Sequence, residues 1–273
     1  MLSGTAARYW LGGWLLVAVL ASGCATHVDP RSVDQDSLYS AIAVDDTRYV
    51  RAAVRSGAIR PDQYIVAPGY SRGAPLIALA ARSGSVEVLQ YLIQAGADVN
   101  ARTSYGETAL MLASFFMSDS EGRGASYEQH EKAAQMLVAA GASLEAARDG
   151  YTPLSYAAYQ GRVRTIRFLL ARGARVDGSV RDGVIYLPTP LMMATMMGHE
   201  ESALLLLEAG ANPRLRVTAG STAMELARKY HQTHLFPMLK CAEGVPQGRQ
   251  FSQLCSSATS TTDSLLPAGL FRR

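Results

Sequence analysis

A glycine-bounded segment recurs three times in this chain and constrains its fold more than any other feature. The segments align without gaps at Gly84–Gly96, Gly161–Gly173 and Gly198–Gly210, and the two glycines of each lie 12 positions apart. Within each segment apolar residues recur at spacings of three and four, which is the stripe of an amphipathic helix. Each segment ends in Gly-Ala, and glycine readily adopts the left-handed conformation that ends a helix. The sequence therefore predicts a series of similar helices.

A second signature begins with threonine. A threonine can cap a helix, and a proline suits the first helical turn, so these tripeptides predict additional helix starts. Each unit is then a turn, a short helix, a tight link and a longer helix. One such unit has too little partner surface to bury its apolar face, whereas stacked units bury a continuous core. The tripeptides are Thr108-Ala109-Leu110, Thr152-Pro153-Leu154, Thr189-Pro190-Leu191 and Thr222-Ala223-Met224.

This combined pattern resembles the ankyrin repeat, whose period is about 33 residues and whose mark is Thr-Pro-Leu-His. Here 37 residues separate Thr152 from Thr189, and 33 separate Thr189 from Thr222. The resemblance implies an all-α solenoid of about five to six helix-turn-helix units with extended turns. We expect this domain to cover residues 37–240. The sequence departs from the family at the histidine, which is replaced by Met111, Ser155, Met192 and Glu225.

The N-terminal segment is typical of an export signal. Arg8 precedes the apolar run Tyr9–Leu20, and small residues follow this run. The ending Leu20-Ala21-Ser22-Gly23-Cys24 resembles the lipobox of bacterial lipoproteins. That resemblance implies a signal peptide at residues 1–23, a lipid on Cys24 and a lipidated tether over residues 24–36. Because Ala25 follows the cysteine, the resemblance also implies the outer membrane, with the protein facing the periplasm; an ordinary cleaved signal is the alternative.

The C-terminal region contains the other two cysteines, Cys241 and Cys255. An exported protein meets oxidising conditions, so we expect these thiols to form a disulfide that closes a cap over residues 241–255. Two unpaired thiols are the alternative. Beyond the cap, residues 256–273 are rich in serine and threonine and are expected to be disordered.

The net charge and the motifs of the sequence argue against nucleic acid, metal and nucleotide ligands. The formal net charge is +3, and no cluster of lysine and arginine points to nucleic acid. His231 and His234 lie near Cys241, but their spacing matches no common metal site, and two further ligands are missing. No glycine-rich phosphate loop with its lysine is present. We therefore expect no cofactor, no metal and no small-molecule substrate.

One motif suggests catalysis. Gly69-Tyr70-Ser71-Arg72-Gly73 matches the Gly-x-Ser-x-Gly nucleophile elbow, and it follows an apolar stretch and precedes a helix. A serine acylhydrolase that uses Ser71 is thus the enzymatic alternative. Such an enzyme also needs a multi-stranded parallel sheet, with an acid and a histidine placed beside the serine, and the downstream sequence gives no further strand signal. A glycine-rich finger between repeat units is the simpler interpretation, and we expect the protein not to be an enzyme.

The outward positions of the first helices predict a binding surface. In the ankyrin fold these helices line the concave face, and many of their outward residues are polar, whereas here they are aromatic or methionine. An exposed apolar strip indicates an interaction site. If the helical register is off by one, the same residues belong to the core instead, although Ala157-Ala158 fixes the register in the third unit. The predicted protein-binding residues are Leu112, Phe115, Phe116, Tyr156, Tyr159, Met193, Met196 and Met197.

These features together favour a membrane-anchored protein–protein interaction module of the bacterial envelope. The resemblance suggests an immunity or inhibitor protein that acts against an effector. An envelope scaffold is the second hypothesis, and the Ser71 acylhydrolase is the third. The expected partner is another protein, whose identity the repeat pattern does not encode.

Overall fold

A computed structural model describes residues 33–115, 126–146, 150–178, 187–217, 220–245 and 251–255 of the chain. Its elements in chain order are α1 (Gln35–Ala43), α2 (Thr47–Arg55), β1 (Tyr64–Ala67), β2 (Tyr70–Pro75), α3 (Leu76–Ser83), α4 (Val86–Gln94), α5 (Ala109–Ser114), α6 (Tyr127–Ala139), α7 (Pro153–Tyr159), α8 (Val163–Ala171), α9 (Pro190–Met196), α10 (Glu200–Glu208), α11 (Ala223–Lys229), the 3-10 turn Thr233–Leu235, α12 (Phe236–Gly244) and α13 (Phe251–Leu254).

Helices α1 to α12 form successive pairs, in which each helix packs on its own partner and, from α1 to α11, on the equivalent helix of a neighbouring pair. We call α1–α2 the N-terminal pair, and the following pairs, from α3–α4 to α11–α12, units one to five. The first helices α3, α5, α7, α9 and α11 stack in one row, and α4, α6, α8 and α10 stack in a second row. Contacts between neighbours alone are the defining property of a solenoid, and the predicted fold class is confirmed.

The helix starts have the cause that the sequence predicted. The side-chain oxygens of Thr108, Thr152, Thr189 and Thr222 each accept a hydrogen bond from the backbone N–H three residues on, at 3.3–3.4 Å. This bond satisfies one of the N–H groups that the first helical turn leaves without a partner. In unit five the cap is reciprocal, because Glu225 accepts a hydrogen bond from the backbone N–H of Thr222 at 2.9 Å.

The core follows from the apolar stripes of the two helix rows. Leucines of successive units are completely or almost completely buried between the rows, and each is contributed by the face that its helical spacing predicts. Polar contacts reinforce the stacking at the turns. The Asp45 carboxylate accepts hydrogen bonds from the backbone N–H groups of Glu87 and Val88, and it thereby caps α4 of the next unit. The buried leucines include Leu79, Leu92, Leu110, Leu137, Leu154, Leu169, Leu191 and Leu206.

A β-hairpin adds to the predicted helices. Strands β1 and β2 pair in antiparallel register, with Ala67 opposite Tyr70. Gly69 at their turn has a φ of +84°, a conformation that glycine tolerates without strain. Ser71 is exposed and lies within β2. The sheet that contains β2 is this two-stranded antiparallel hairpin, whereas a nucleophile elbow follows a strand of a parallel sheet. The hairpin therefore differs from a nucleophile elbow, and the glycine-rich finger is the interpretation that matches its geometry.

The described helices reach slightly beyond residues 37–240 at both ends. The Asp34 carboxylate caps α1 by accepting a hydrogen bond from the Ser37 N–H at 3.0 Å, so this helix begins at Gln35 rather than at residue 37. Helix α12 continues to Gly244, past residue 240, and contains Cys241. The sulfur atoms of Cys241 and Cys255 are bonded in the structure, with the two Cα atoms 5.9 Å apart.

The segments beyond this region lie outside the described residues. They include the predicted signal peptide, Cys24, most of the tether and the tail from residue 256. Within the described residues, every helix is too short or too polar to reach across a bilayer.

Candidate functional site

A groove of about 540 Å³ opens on the row of first helices, beside the hairpin. Side chains from three successive units and from the hairpin contribute to it, so the groove exists because these parts stack. Its walls are mainly aromatic, and a carboxylate lies between the aromatic rings. The described lining residues are Gly69, Tyr70, Arg82, Tyr105, Glu107, Leu112, Phe115, Tyr156 and Tyr159.

One helical position of each repeat supplies the long side chains along this face. It is the seventh residue after the N-cap, and the N-caps of units one to five are Pro75, Thr108, Thr152, Thr189 and Thr222. This position follows the capping residue by about two helical turns, so it comes to the same place in every unit. In the order of the units, the residues at this position are Arg82, Phe115, Tyr159, Met196 and Lys229.

The aromatic rings of units two and three contact one another across the unit boundary. The Phe115 ring meets the Tyr156 ring edge to face, with centroids 5.8 Å apart. Phe115 and Tyr159 are closer to parallel, with centroids 6.1 Å apart and 21° between their planes. These offset and edge-to-face geometries are favourable for aromatic pairs. All three side chains are partly exposed, so the pair contacts leave ring surface in the groove.

Glu107 is the carboxylate of the groove, and it is 9% exposed. Its Oε2 accepts hydrogen bonds from the hydroxyls of Tyr70, at 3.1 Å, and Thr103, at 3.3 Å. Its Oε1 accepts a hydrogen bond from the Tyr156 hydroxyl at 3.4 Å. A buried carboxylate needs such donors, because burial removes it from water. Glu107 therefore joins the hairpin, unit two and unit three.

The hairpin side of the groove is formed by Tyr70 and Arg82. The Arg82 guanidinium lies 5.1 Å from the centroid of the Tyr70 ring, and its Nη1 donates to the carbonyl of Pro68 at 2.9 Å. A Cβ atom on Gly69 would come within 3.3 Å of that Nη1, so the glycine gives the guanidinium room. Burial raises the pKa of the Tyr70 hydroxyl above its ordinary value, and the negative charge of Glu107 raises it further. Tyr70 thus remains a hydrogen-bond donor at neutral pH.

The predicted binding residues have different positions on this face. Phe115, Tyr156 and Tyr159 line the groove, and Met197 of unit four is 42% exposed beyond it. Met193 and Met196 are partly buried and pack against the core. Leu112 was expected to be exposed on this face, but it is only 4% exposed, although it is among the residues that line the groove. Phe116 lies outside the described residues.

Several lining residues were not predicted as site residues. Arg82 could have been identified from the repeat pattern, because it is the seventh residue after the N-cap of its unit, as Phe115 and Tyr159 are in theirs. Tyr70 and Glu107 carry no such signal, because they belong to a hairpin and a turn that have no counterpart in the repeat pattern. Among the described residues, no three His, Cys, Asp or Glu side chains are grouped so that they could hold a metal ion.

Helix pairs that stack in two rows, with a groove on the row of first helices, define a helical-repeat solenoid. Residues 77–118, 125–170 and 154–207 match the family profile described as "Ankyrin repeats (many copies)". The chain therefore contains a mostly helical ankyrin-repeat domain of stacked helix pairs, as the sequence signatures predicted. Ankyrin repeats suggest protein–protein interaction.

Individual relatives each match part of the chain. The chain is 46% identical over 105 residues to mouse "Ankyrin repeat and SOCS box protein 16", which covers 38% of this chain and 22% of that protein. It is 42% identical over 92 residues to a "Putative ankyrin repeat-containing protein" of Treponema pallidum (strain Nichols), with 33% and 30% covered. For the "Mitochondrial disaggregase" of Bos taurus the identity is 29% over 172 residues, with 63% and 23% covered. The chain thus spans less than a third of each of these relatives.

Proposed function

We propose that this protein is a membrane-anchored binding module of the bacterial envelope, and that it holds a protein partner on the face of its first helices. The observation that carries the proposal is the aromatic groove formed by Phe115, Tyr156 and Tyr159, since exposed apolar surface on a protein indicates an interaction site. Tyrosine is enriched at the energetic centres of protein interfaces, because one ring combines apolar area with a hydroxyl.

Methionines extend this face into unit four. Met196 occupies the position equivalent to Tyr159, and Met197 beside it is 42% exposed. Methionine side chains are flexible and polarisable, and they adapt to the shape of a partner. The proposed interface therefore combines a rigid aromatic groove in units two and three with a deformable strip in unit four.

The proposed anchor is a lipid on Cys24, and the proposed location is the outer membrane, facing the periplasm, because Ala25 follows the cysteine. It is supported by the sequence Leu20-Ala21-Ser22-Gly23-Cys24 and by the apolar run before it. Two or more acyl chains anchor a protein stably, whereas one chain alone binds a membrane only marginally. Metabolic labelling with an alkyne fatty acid tests this part: the wild-type chain is expected to take up the label and Cys24→Ala to take up none. Label retained by Cys24→Ala would contradict the proposed lipid site.

Site-specific photo-crosslinking tests the binding face. A benzoylphenylalanine at position 159 replaces one aromatic side chain in the groove with another. The matched control is the same substitution at Phe168, which belongs to the second helix of the same unit and is not part of the groove lining. We expect a partner protein to crosslink from position 159 in cells of the native host and not from position 168. Crosslinks of equal yield from both positions, or none from position 159, would contradict the proposed face.

Once the crosslinked protein is identified, its activity distinguishes an immunity or inhibitor role from an envelope scaffold. We propose an immunity or inhibitor role, in which the bound partner is an effector or envelope enzyme and the bound state is inactive. Purified partner assayed with and without the chain is then expected to lose activity on binding. A partner whose activity does not change would favour the envelope scaffold instead.

A further inference from the structure

The short helix α13, near the C-terminal end of the domain, is linked to α12 by a covalent bond. Cys255, which directly follows α13, is bonded to Cys241 of α12. Helix α13 packs on α10, where Phe251 is 5% exposed and Cys255 is completely buried. Leu254, the last residue of α13, is 51% exposed. The apolar contribution of this segment to the core therefore comes from Phe251 and Cys255.

The burial of these two side chains is too small to hold the segment in place without the bond. Burial of one phenylalanine and one cysteine is favourable, but ordering the backbone of five residues costs more free energy than this burial gains. The bond changes this balance, because it keeps the segment close to α12 even when α13 is not docked, and so it removes much of the entropy cost of docking. Helix α13 is thus docked while the bond is intact.

Helix α12, in contrast, is held by further contacts of its own. It packs on α11, and its Met238 and Leu239 are 4% and 0% exposed. The Arg214 guanidinium donates hydrogen bonds to the backbone carbonyls of Glu243 and Val245 at the end of this helix. These contacts do not involve the sulfur atoms. Breaking the bond therefore leaves α12 in place and frees only the α13 side.

Helix α10 carries the apolar surface on which α13 packs. It contains four consecutive leucines, Leu204–Leu207, and the last three of them are at most 3% exposed. A helix with apolar residues on several sides needs cover on several sides. Helices α8, α9 and α13 all pack on α10. Release of α13 would therefore leave part of this leucine-rich surface facing water.

The two cysteines differ in their access to a reductant. Cys241 is partly exposed and Cys255 is completely buried, so a thiolate from solution attacks the Cys241 sulfur. This attack forms a mixed disulfide on Cys241 and breaks its bond to Cys255, whose sulfur leaves as a thiolate. A charged sulfur is costly in an apolar site, so the Cys255 sulfur takes up a proton or leaves the core. A second thiol of the reductant then displaces Cys241, which leaves two protein thiols and an oxidised, disulfide-bonded reductant.

We propose that the bond between Cys241 and Cys255 is a redox-sensitive switch, which a dithiol reductant opens to release α13 and to uncover the apolar surface of α10. Oxidation of the two thiols closes the switch again. Because each unit of a solenoid contacts only its neighbours, the opening stays local and leaves the N-terminal units folded. The switch works without a bound partner, so it goes beyond the proposed function and is tested independently of it.

Hydrogen exchange measured by mass spectrometry on the full chain tests the switch. Peptides from α10 and from α4 are compared before and after reduction with dithiothreitol. We expect the α10 amides to exchange at least about tenfold faster in the reduced chain, and the α4 amides to change by less than about twofold. Reoxidation with oxidised glutathione should restore the slow exchange of α10.

Two variants assign the effect to this bond. Cys241→Ser combined with Cys255→Ser should show the fast α10 exchange without reductant, and dithiothreitol should change it no further. Leu254→Ala is the matched control, because Leu254 belongs to the same helix but is 51% exposed. It should keep the slow exchange of the oxidised chain and the full response to reduction.

Three results would overturn the proposal. Unchanged α10 exchange in the reduced chain would mean that α13 stays docked without the bond. Equal acceleration in α10 and α4 would mean that the bond stabilises the whole domain rather than one segment. Fast α10 exchange that persists after reoxidation would mean that the release is irreversible and not a switch. Crosslinking of a partner from position 159 could succeed in all three cases, so the proposed binding face would still stand.

Discussion

The hydroxyl of Tyr70 donates a 3.1 Å hydrogen bond to Oε2 of Glu107, and this contact joins the hairpin to the turn that precedes α5. The donor is 4% exposed and the acceptor 9% exposed, so neither group can exchange its partner for bulk water without local opening. Thr103 donates to the same oxygen from the turn itself. The groove therefore has a buried polar base beneath its aromatic walls.

We predict that Tyr70→Phe destabilises the fold by about 1.5–3 kcal/mol, the range for a hydrogen bond to a charged group. The matched control is Tyr64→Phe, which removes the same hydroxyl from an exposed hydrogen bond to the Arg102 carbonyl. That change should cost about 1 kcal/mol or less, because the acceptor is neutral and water can replace the donor. Urea denaturation measures both, and equal losses would mean that the Glu107 contact contributes no more than an exposed one.

Leu169 tests the stacking of unit three. It is completely buried in α8, at a position that the apolar spacing of Gly161–Gly173 predicts to face the core. Leu169→Ala should lower the free energy of unfolding by about 2–5 kcal/mol, because it removes buried methyl groups and leaves a cavity. Val44→Ala is the control, since Val44 is 75% exposed. A melting curve for Leu169→Ala that matches the control would contradict the assigned helix face.

We expect substitution of Gly161 to cost more stability than substitution of Gly173, although both glycines have positive φ angles. Alanine at either position adopts a left-handed conformation, at a cost of about 1–2 kcal/mol. At Gly161 a Cβ atom would also come within 2.7 Å of His199 Nδ1, whereas at Gly173 it would meet nothing within 4 Å. The His199 ring is held by a 3.1 Å hydrogen bond between Nε2 and the Tyr159 carbonyl.

We therefore predict that Gly161→Ala costs about 1–3 kcal/mol more than Gly173→Ala. Combining Gly161→Ala with His199→Ala should recover much of this difference, since the smaller side chain removes the clash. Denaturation of the two single variants and the double variant gives the coupling energy directly. A coupling energy near zero would show that the histidine ring moves away at no cost.

The bond between Cys241 and Cys255 should stabilise the C-terminal end of the domain. It closes a loop with a sequence separation of 14, for which the chain-entropy treatment gives about 3 kcal/mol. Reducing the wild-type chain and replacing both cysteines with serine should therefore lower stability by similar amounts. Thiol counting in denaturant without reductant should find neither cysteine free, and two free thiols would contradict the bond.

The repeat pattern was predictable because its signals are local. The Thr152 side chain caps α7 by accepting a hydrogen bond from the backbone N–H of Ser155, and Gly173 has a φ of +91° just after α8. Both features depend only on residues that are close in the sequence. The apolar spacing then fixes which helix face is buried, so the fold class follows from segments of about a dozen residues. The same register predicted that Tyr156 and Tyr159 lie on one face, and both line the groove.

The hairpin and the base of the groove were not predictable in this way. Tyr70 and Glu107 are 37 residues apart, and Tyr156 lies 49 residues beyond Glu107, so their hydrogen bonds depend on how whole units pack. Leu112 illustrates the same limit, because its helical position is equivalent to that of Tyr156, which is partly exposed, whereas Leu112 is only 4% exposed. The N-terminal lipid site also stays a prediction, since Cys24 lies outside the described residues.

The sequence by itself determined the repeated helix pairs, their caps and their buried faces, because each depends on contacts within one unit or between identical positions of neighbours. Tertiary structure alone decided that the hairpin and the Glu107 carboxylate complete the cavity that Phe115 and Tyr159 line. The physical reason is that stacking places equivalent positions of successive units side by side, while the hairpin sets Tyr70 against Glu107. Which side chains come into contact therefore depends on how the units pack against one another.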